Sequence, residues 1–197
     1  MKLFNFFRKK AHKAILQSDP DPIENYSDNS EETKGKILYN ADTSLLEVLN
    51  YIKDYSSQIG IQLNSPATDI EISAFENQKI ELPEDFKLLY KLSNGFETDQ
   101  DLFRLIPLNE IIENGLDKSY LVSDSSFHFT EYMIYSDMWS VDISKENVND
   151  YRIYNKADTV IYLTNSLAEF LCVFINKGIY DGLYEWREMK QKLTNNQ

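Results

Sequence analysis

The sequence predicts an α+β fold in which helices come first, a mostly antiparallel sheet of four to six strands follows, and helices close the chain. Three observations lead to this prediction. Helical hydrophobic spacing is strong in residues 70–97, short β-favouring segments follow in residues 101–163, and helical spacing returns from residue 166 onward. The length of 197 residues, with 42% hydrophobic residues, fits one such domain plus an appendage.

The first 41 residues differ in composition from everything that follows. Residues 1–16 carry five positive charges and no acidic residue, and charges interrupt their apolar run from Arg8 onward, so they do not fit a secretory signal. Their weak amphipathic pattern leaves contact with a membrane surface open, but packing on the acidic domain or remaining mobile is the preferred interpretation. Residues 17–41 combine two prolines with many acidic and small polar residues, which predicts a flexible acidic linker. The domain itself is expected to span residues 42–195.

Two helices are predicted at the start of this domain. The first runs from residue 42 or 43 to near residue 60, and its apolar residues at helical spacing are Leu45, Leu49 and Ile52. The second begins at Thr68, which has capping-box spacing to Glu71, so each can satisfy a free backbone amide of the other. The apolar stripe expected on this second helix consists of Ile70, Ile72, Ala74 and Phe75.

A third helix is predicted to start at Pro83, because proline suits a first helical position and the two carboxylates after it favour the positive end of a helix. Residues at i, i+3 and i+4 form its inward face: Phe86, Leu89 and Tyr90. Asn94 and Gly95 end the helix, because both tolerate the positive φ of a sharp helix cap.

Short strands are predicted after this helix, at Asp101–Ile106, Tyr132–Ser136, Trp139–Ile143, Tyr151–Tyr154 and Thr159–Leu163. The second and third strands are expected to form a hairpin with Asp137 and Met138 near its turn. A helical turn at Leu108–Asn114 lies between the first two strands.

Helical patterns return at the end of the chain. Ser166 and Glu169 have capping-box spacing, and the inner face of the helix that follows consists of Leu167, Phe170, Leu171 and Phe174. A last helix is predicted from Tyr180 to Leu193, anchored by Leu183, Trp186 and Met189.

Two parts of these helical regions carry a family resemblance. Ile72–Glu76 and Leu82–Gly95 have the form Ile-x-x-Phe-Glu … Leu-Pro-Glu-Asp-Phe-Lys-x-Leu-Tyr-x-x-Ser-Asn-Gly, which resembles the N-terminal signature of the SUKH superfamily. Asn165–Phe174 resembles the Ser-x-x-Glu-Phe-Leu helix near the end of that domain. The resemblance covers about residues 45–179. Where family members often carry glycines in the central hairpin, this chain has Ser-Asp-Met-Trp at residues 136–139.

This superfamily is shared by a fungal regulator of cell-wall synthesis and many bacterial immunity proteins. The resemblance therefore implies a SUKH-like α+β fold, and it implies a protein that works by binding another protein rather than by catalysis.

The charge and cysteine content restrict the class of partner and the compartment. A formal net charge of −12 and a sequence pI near 4.6 argue against direct binding of nucleic acid through its phosphates, and favour a basic partner or solubility alone. The single cysteine, Cys172, cannot form an internal disulfide and fits a reducing cytoplasm. No stretch reaches the roughly 18–20 apolar residues of a membrane span. These observations predict a soluble cytoplasmic protein.

The sequence lacks the residue patterns of common catalytic and metal sites. His12 lies in the basic N-terminal segment, and His128 has serines nearby but no nucleophile-elbow glycines, so we interpret it as structural. No CxxC, HExxH or EF-hand spacing occurs, and the pair Asp99 and Asp101 is better explained by solvation than by metal binding. We therefore predict no enzymatic activity, metal or cofactor. A hydrolase built on an unrecognised pair among the 32 acidic residues is the enzymatic alternative.

A protein-binding surface is the remaining prediction. Acidic residues gather where strands are expected to end, beside aromatic residues that can anchor a partner. Each aromatic residue is also compatible with a place in the core, with the acids around it forming a solvated rim. The candidate partner-binding residues are Asn94, Glu97, Asp99, Asp101, Tyr135, Asp137, Trp139 and Asp142.

The resemblance implies a bacterial immunity protein that masks a toxin, and the acidity suggests a basic protein toxin of nuclease or deaminase type. A strongly acidic protein can mimic the nucleic acid that such a toxin binds. The alternative is a regulatory scaffold or adaptor of the same fold. A fungal source, or a gene without a toxin neighbour, favours that alternative.

Overall fold

A seven-stranded antiparallel sheet runs through the part of the chain that this computed structural model describes, namely residues 37, 39–40, 42–99, 102–113 and 118–195. Each strand pairs with its neighbours in sequence, so the sheet is a simple meander. The strands are β1 (Ile61–Leu63), β2 (Phe96–Thr98), β3 (Phe103–Leu105), β4 (Ser126–Tyr132), β5 (Asp137–Ile143), β6 (Tyr151–Lys156) and β7 (Val160–Thr164). The α+β prediction is confirmed. The sheet exceeds the expected four to six strands because β1 and β2, of 3 residues each, are too short to show alternation in the sequence.

Six α-helices accompany the sheet among the described residues: α1 (Leu45–Tyr55), α2 (Asp69–Gln78), α3 (Glu84–Leu92), α4 (Leu108–Glu113), α5 (Leu167–Lys177) and α6 (Glu185–Asn195). A 3₁₀ turn at Lys118–Tyr120 and a π-helix at Ile179–Tyr184 complete them. In the described part of the chain, none of these helices combines the length and apolar character needed to cross a membrane.

The capping box predicted at the start of α2 is confirmed. The Thr68 hydroxyl accepts a hydrogen bond from the Glu71 amide at 3.2 Å, and the Glu71 carboxylate accepts one from the Thr68 amide at 2.7 Å. Ser44 and Glu47 cap α1 in the same reciprocal way. At α5 the Ser166 hydroxyl accepts from the Glu169 amide at 3.2 Å, while the Glu169 carboxylate accepts from Thr164 instead of closing the box.

Aromatic side chains fill the layer between the sheet and the helices. The rings of Phe127 and Phe129 in β4 lie edge-on to Phe86 of α3, with centroids 5.7 and 5.2 Å away. Phe170 of α5 meets Phe129 at 5.2 Å, and Phe75 of α2 meets Phe127 at 5.2 Å. The inward faces predicted for α3 and α5 are confirmed, since all seven residues are buried: Phe86, Leu89, Tyr90, Leu167, Phe170, Leu171 and Phe174.

The apolar stripe of α2 differs from the prediction. Ile72 and Phe75 are buried, but Ile70 is 82% exposed. Two residues separated by one other lie about 200° apart around a helix of 3.6 residues per turn. Ile70 and Ile72 therefore cannot share a face, and α2 buries only the face that carries Ile72.

The central hairpin also differs from the prediction. Tyr132 pairs with Asp137, so residues 133–136 form the turn, whereas the sequence pattern predicts a strand through Ser136 and a turn near Met138. The reason is a left-handed backbone at Met133, Ile134 and Tyr135, with φ of 51°, 54° and 61°. Glycine, asparagine or aspartate is expected at such positions, so these residues gave no turn signal.

Two contacts join described residues ahead of α1 to the rest of the domain. The predicted basic segment, residues 1–16, and residues 17–36 of the predicted linker lie outside the described residues. Within the rest of that linker, the carbonyl of Ile37 accepts from Asn176 Nδ2 at 2.6 Å, and the Tyr39 hydroxyl lies 3.4 Å from the Ser166 hydroxyl. Among the described residues, Ile37 and Tyr39 therefore already contact the domain ahead of α1.

Candidate functional site

Part of the predicted binding surface comes together at one end of the sheet. In an antiparallel meander the β2–β3 turn and the β4–β5 turn lie at the same end, and the pairing of β3 with β4 places them side by side. Asp99, Tyr135 and Asp137 therefore lie at this end, which we call the turn end. Asp142 is five residues further along β5, roughly 17 Å away at about 3.4 Å per residue, and belongs to a separate cluster.

Arg104 of β3 fixes the turn end to the body of the domain. Its Nε donates to Glu131 of β4 at 2.5 Å, and its two terminal nitrogens form a bidentate pair with Glu110 of α4. The same guanidinium donates to the Tyr135 hydroxyl at 2.7 Å and lies 5.3 Å from that ring. The hydrogen bonds to Glu110 and Glu131 raise the pKa of Arg104, although burial of the guanidinium opposes this effect. Tyr135 is therefore held in place rather than free to swing.

Asp137 is anchored from three directions. Its Oδ1 accepts hydrogen bonds from the Met138 amide at 2.8 Å and from Asn155 Nδ2 at 2.7 Å. Its Oδ2 accepts from Arg187 of α6 at 3.3 Å. This half-buried carboxylate ties α6 to the sheet, so its first role is structural and its charge is largely matched by Arg187.

Asn94 lies away from the turn end, at the junction of three helices. Its Oδ1 accepts from the Leu108 amide at the start of α4, at 2.9 Å, and its Nδ2 donates to Glu71 of α2 at 3.1 Å. Because both ends of the amide have partners, the side chain joins the end of α3 to α2 and α4. Its assignment to a binding surface stays a prediction, and the contacts give it a structural role.

The acidic residues of the β2 region are only partly described. Glu97 is exposed in β2, between Gln62 of β1 and Arg104 of β3. Asp99 is also exposed, and its carboxylate accepts from Gln62 Nε2 at 2.6 Å. Asp101 lies outside the described residues. Glu97 and Asp99 are therefore accessible to a partner, as the binding prediction requires.

Trp139 does not belong to any exposed surface. Its side chain is 0% exposed, and its ring lies 5.6 Å from Phe103, 5.8 Å from Tyr184 and 6.5 Å from Phe170. Alternation along β5 turns Trp139 toward the helices. Because no partner can reach it in the folded domain, Trp139 belongs to the core and not to the candidate surface.

Asp142 organises a polar cluster on the other face of the sheet. One carboxylate oxygen accepts from the hydroxyls of Ser123 and Ser126 at 2.7 and 2.9 Å, and the other accepts from Arg152 at 3.2 Å. Burial raises the pKa of the Asp142 carboxyl, but the hydrogen bonds from these three residues together outweigh it and leave the pKa lowered.

Asp142→Asn should make the stability of the protein less sensitive to acid. A carboxyl whose folded-state pKa is depressed stabilises the fold above its unfolded-state pKa of about 3.8 and loses that contribution as pH falls through the folded-state value. The free energy of unfolding, measured by urea denaturation from about pH 6 to about pH 3, should fall less steeply in this variant than in the wild type.

A second variant separates the hydrogen bonds from the charge. Ser123→Ala combined with Ser126→Ala keeps the carboxyl of Asp142 but removes two of its donors, so its acid dependence should also be shallower. Equal acid dependence in the wild type and both variants would contradict the assignment of the lowered pKa to Asp142.

A cleft of about 580 Å³ opens next to this cluster, between the end of α2 and residues 121–128. His128 lines it, and its Nδ1 lies 2.6 Å from the hydroxyl of Ser140 on the neighbouring strand. This cross-strand pairing agrees with a structural histidine. Among the described residues, no group of three or more His, Cys, Asp or Glu side chains could hold a metal ion.

Sequence reasoning missed a group of exposed apolar residues at the turn end: Leu102, Met133, Ile134 and Tyr180. Met133 lies within the predicted strand Tyr132–Ser136, and no local signal marks the left-handed turn that exposes it. An apolar side chain in a tight turn without glycine or asparagine indicates an exposed binding residue only after the strand register is known.

Comparison with protein families gives a match over the middle of the chain. The model of the SMI1 / KNR4 family (SUKH-1) matches residues 66–172, which is just over half of the chain and extends from the residues before α2 into α5. A comparison with curated proteins gives no significant match.

Proposed function

Because the chain belongs to the SMI1 / KNR4 family (SUKH-1), we propose that it is a non-enzymatic immunity protein that neutralises a cognate bacterial toxin by covering it. It acts in the cytoplasm, where the toxin would otherwise reach its target. The toxin is a basic protein of nuclease or deaminase type.

The charge of the chain supports a basic partner. The formal net charge is −12, and because residues 1–16 contribute five positive charges, the remainder carries −17. Enzymes that act on nucleic acids bind phosphates through Lys and Arg. An acidic protein is attracted to such a surface and competes with the nucleic acid for it.

The observation that carries the proposal is the composition of the turn end. Exposed Asp99 and half-buried Tyr135 lie there beside apolar side chains that project into solvent, in a domain whose other large apolar residues are mostly buried. Apolar anchors with polar surroundings are the usual anatomy of a protein–protein interface.

Co-expression tests this function. The product of the neighbouring toxin gene should arrest growth alone and should be tolerated when this chain is expressed with it, and the two proteins should co-elute as a complex. A toxin of the same class from another locus serves as the specificity control and should remain toxic. The association rate of the complex should fall as ionic strength rises, because salt screens the long-range attraction. Absence of both rescue and complex would overturn the proposal.

A further inference from the structure

Four exposed apolar side chains form one group at the turn end, which we call the apolar end cluster: Leu102, Met133, Ile134 and Tyr180. Their side chains are 62%, 47%, 82% and 60% exposed, respectively. The Met133 amide donates to the Leu102 carbonyl at 3.1 Å, and the hydroxyl of Tyr180 lies 2.5 Å from that of Tyr132, the residue before Met133. Single exposed apolar residues are ordinary, but a group of them at one end of a sheet is typical of an interaction site.

The backbone is strained at three of the four cluster residues. Among the described residues, the non-glycine residues with positive φ are Leu102, Met133, Ile134 and Tyr135, and all four lie at the turn end. The left-handed conformation is unfavourable for residues with a Cβ, and it is rarest for a β-branched residue such as Ile134. Glycine or asparagine would make the same turn at lower cost. Stability alone therefore does not explain large apolar residues here, whereas a binding role does.

The turn is also held rigidly. The Tyr135 amide donates to Glu131 at 2.6 Å, and the Ser136 hydroxyl donates to the Met133 carbonyl at 2.7 Å. The Ser136 amide donates to the Tyr132 carbonyl at 3.1 Å, which closes the turn. A preformed projection loses little conformational entropy on binding, so less of the free energy from burying its apolar area is offset.

Charges beside the cluster indicate the character of its partner. Asp99 opens the β2–β3 turn that ends at Leu102, Asp181 follows Tyr180, and both are exposed. The nearby cation Arg104 is paired with Glu110 and Glu131. The surface thus presents an apolar projection flanked by exposed carboxylates, of which Asp99 accepts a hydrogen bond from Gln62. Such a surface is complementary to an apolar depression with a basic rim.

We propose that the β4–β5 turn, with Ile134 at its tip, inserts into an apolar pocket rimmed by Lys and Arg on the protein partner. This inference rests on the proposed function and identifies the part of the chain that makes the central contact.

Ile134→Asp tests the insertion, with the catalytically inactivated product of the adjacent toxin gene as the probe. The dissociation constant, measured by calorimetry, should rise by about 100-fold, because a central apolar anchor is replaced by a carboxylate that must be desolvated. Ile70→Asp is the matched control: Ile70 is also 82% exposed, but it lies on α2. This control should bind within about twofold of the wild type.

Ile134→Asn separates binding from folding. Asparagine tolerates positive φ better than isoleucine, so the melting temperature should rise, while the affinity should fall by about tenfold because the apolar anchor is lost. A merely structural role for Ile134 would move stability and affinity in the same direction.

The outcomes distinguish this inference from the proposed function. Equal affinity of Ile134→Asp and Ile70→Asp for the probe would overturn the insertion while leaving the immunity function intact. No binding or rescue by the wild-type chain would overturn the function itself. If light scattering shows a wild-type dimer that Ile134→Asp converts to a monomer, the cluster binds a second copy of the chain, and the assignment of a basic pocket is wrong.

Discussion

Arg104→Met should lower the free energy of unfolding by about 3–5 kcal/mol, because it leaves a buried carboxylate without its cation. The Glu131 side chain is 3% exposed, and its carboxylate accepts a hydrogen bond from Arg104 Nε at 2.5 Å. Removal of the guanidinium also breaks the bidentate pair with Glu110 and the hydrogen bond to Tyr135. Urea denaturation at neutral pH measures the change.

Two comparisons identify the buried charge as the cause. Arg152→Met removes an arginine that is 56% exposed and pairs with Asp142 at 3.2 Å, so it should cost about 1 kcal/mol or less. Adding Glu131→Gln to Arg104→Met removes the unpaired charge and keeps an acceptor for the Tyr135 amide, so it should restore part of the lost stability. If the double variant is no more stable than Arg104→Met, the cost arises from lost packing instead.

Trp139→Ala should also lower the free energy of unfolding by about 3–5 kcal/mol, because it removes a fully buried indole and leaves a cavity. The rings of Phe103, Phe170 and Tyr184 surround this indole and cannot collapse onto alanine without leaving their own positions. Thermal or urea unfolding measures the change, and the aromatic near-ultraviolet signal should weaken even where the variant remains folded.

Trp139→Phe is the informative companion variant. The indole Nε1 has no hydrogen-bond partner among the described residues, so phenylalanine loses apolar contact but leaves no donor unsatisfied. It should cost clearly less than alanine, about 1–2 kcal/mol. Its affinity for the proposed toxin partner should match that of the wild type, since a core residue does not touch a partner. A tenfold loss of affinity in a folded Trp139→Phe protein would contradict the assignment of Trp139 to the core and indicate that it contacts the partner.

Much of the candidate site could not be predicted from the sequence, because it depends on where the β4–β5 turn lies. The acidic residues Glu97 and Asp99 are evident from the sequence itself, and both are exposed in the structure. The sequence left Trp139 open between the core and the surface, and its contacts with Phe103 and Phe170 place it in the core. The exposure of Ile134 follows from the position of the β4–β5 turn, which the sequence pattern placed near Met138.

The helices were predictable because their signals are local. Thr68 and Glu71 cap α2 within four residues of sequence, and the spacing of Phe86, Leu89 and Tyr90 defines the buried face of α3 without reference to any other element. The same is true of α5. The family signature lies in these segments, which is why the fold class and the family could be predicted together.

The turn end was decided only by tertiary structure. A left-handed backbone at Met133, Ile134 and Tyr135 is unfavourable in an isolated peptide, and it persists because Arg104, Glu131 and the paired strands β3 to β5 hold it. Those contacts join residues about 30 positions apart in the chain, beyond the reach of local propensity. The sequence by itself therefore determined the helices and the acidity, whereas long-range contacts determined which apolar side chains face solvent.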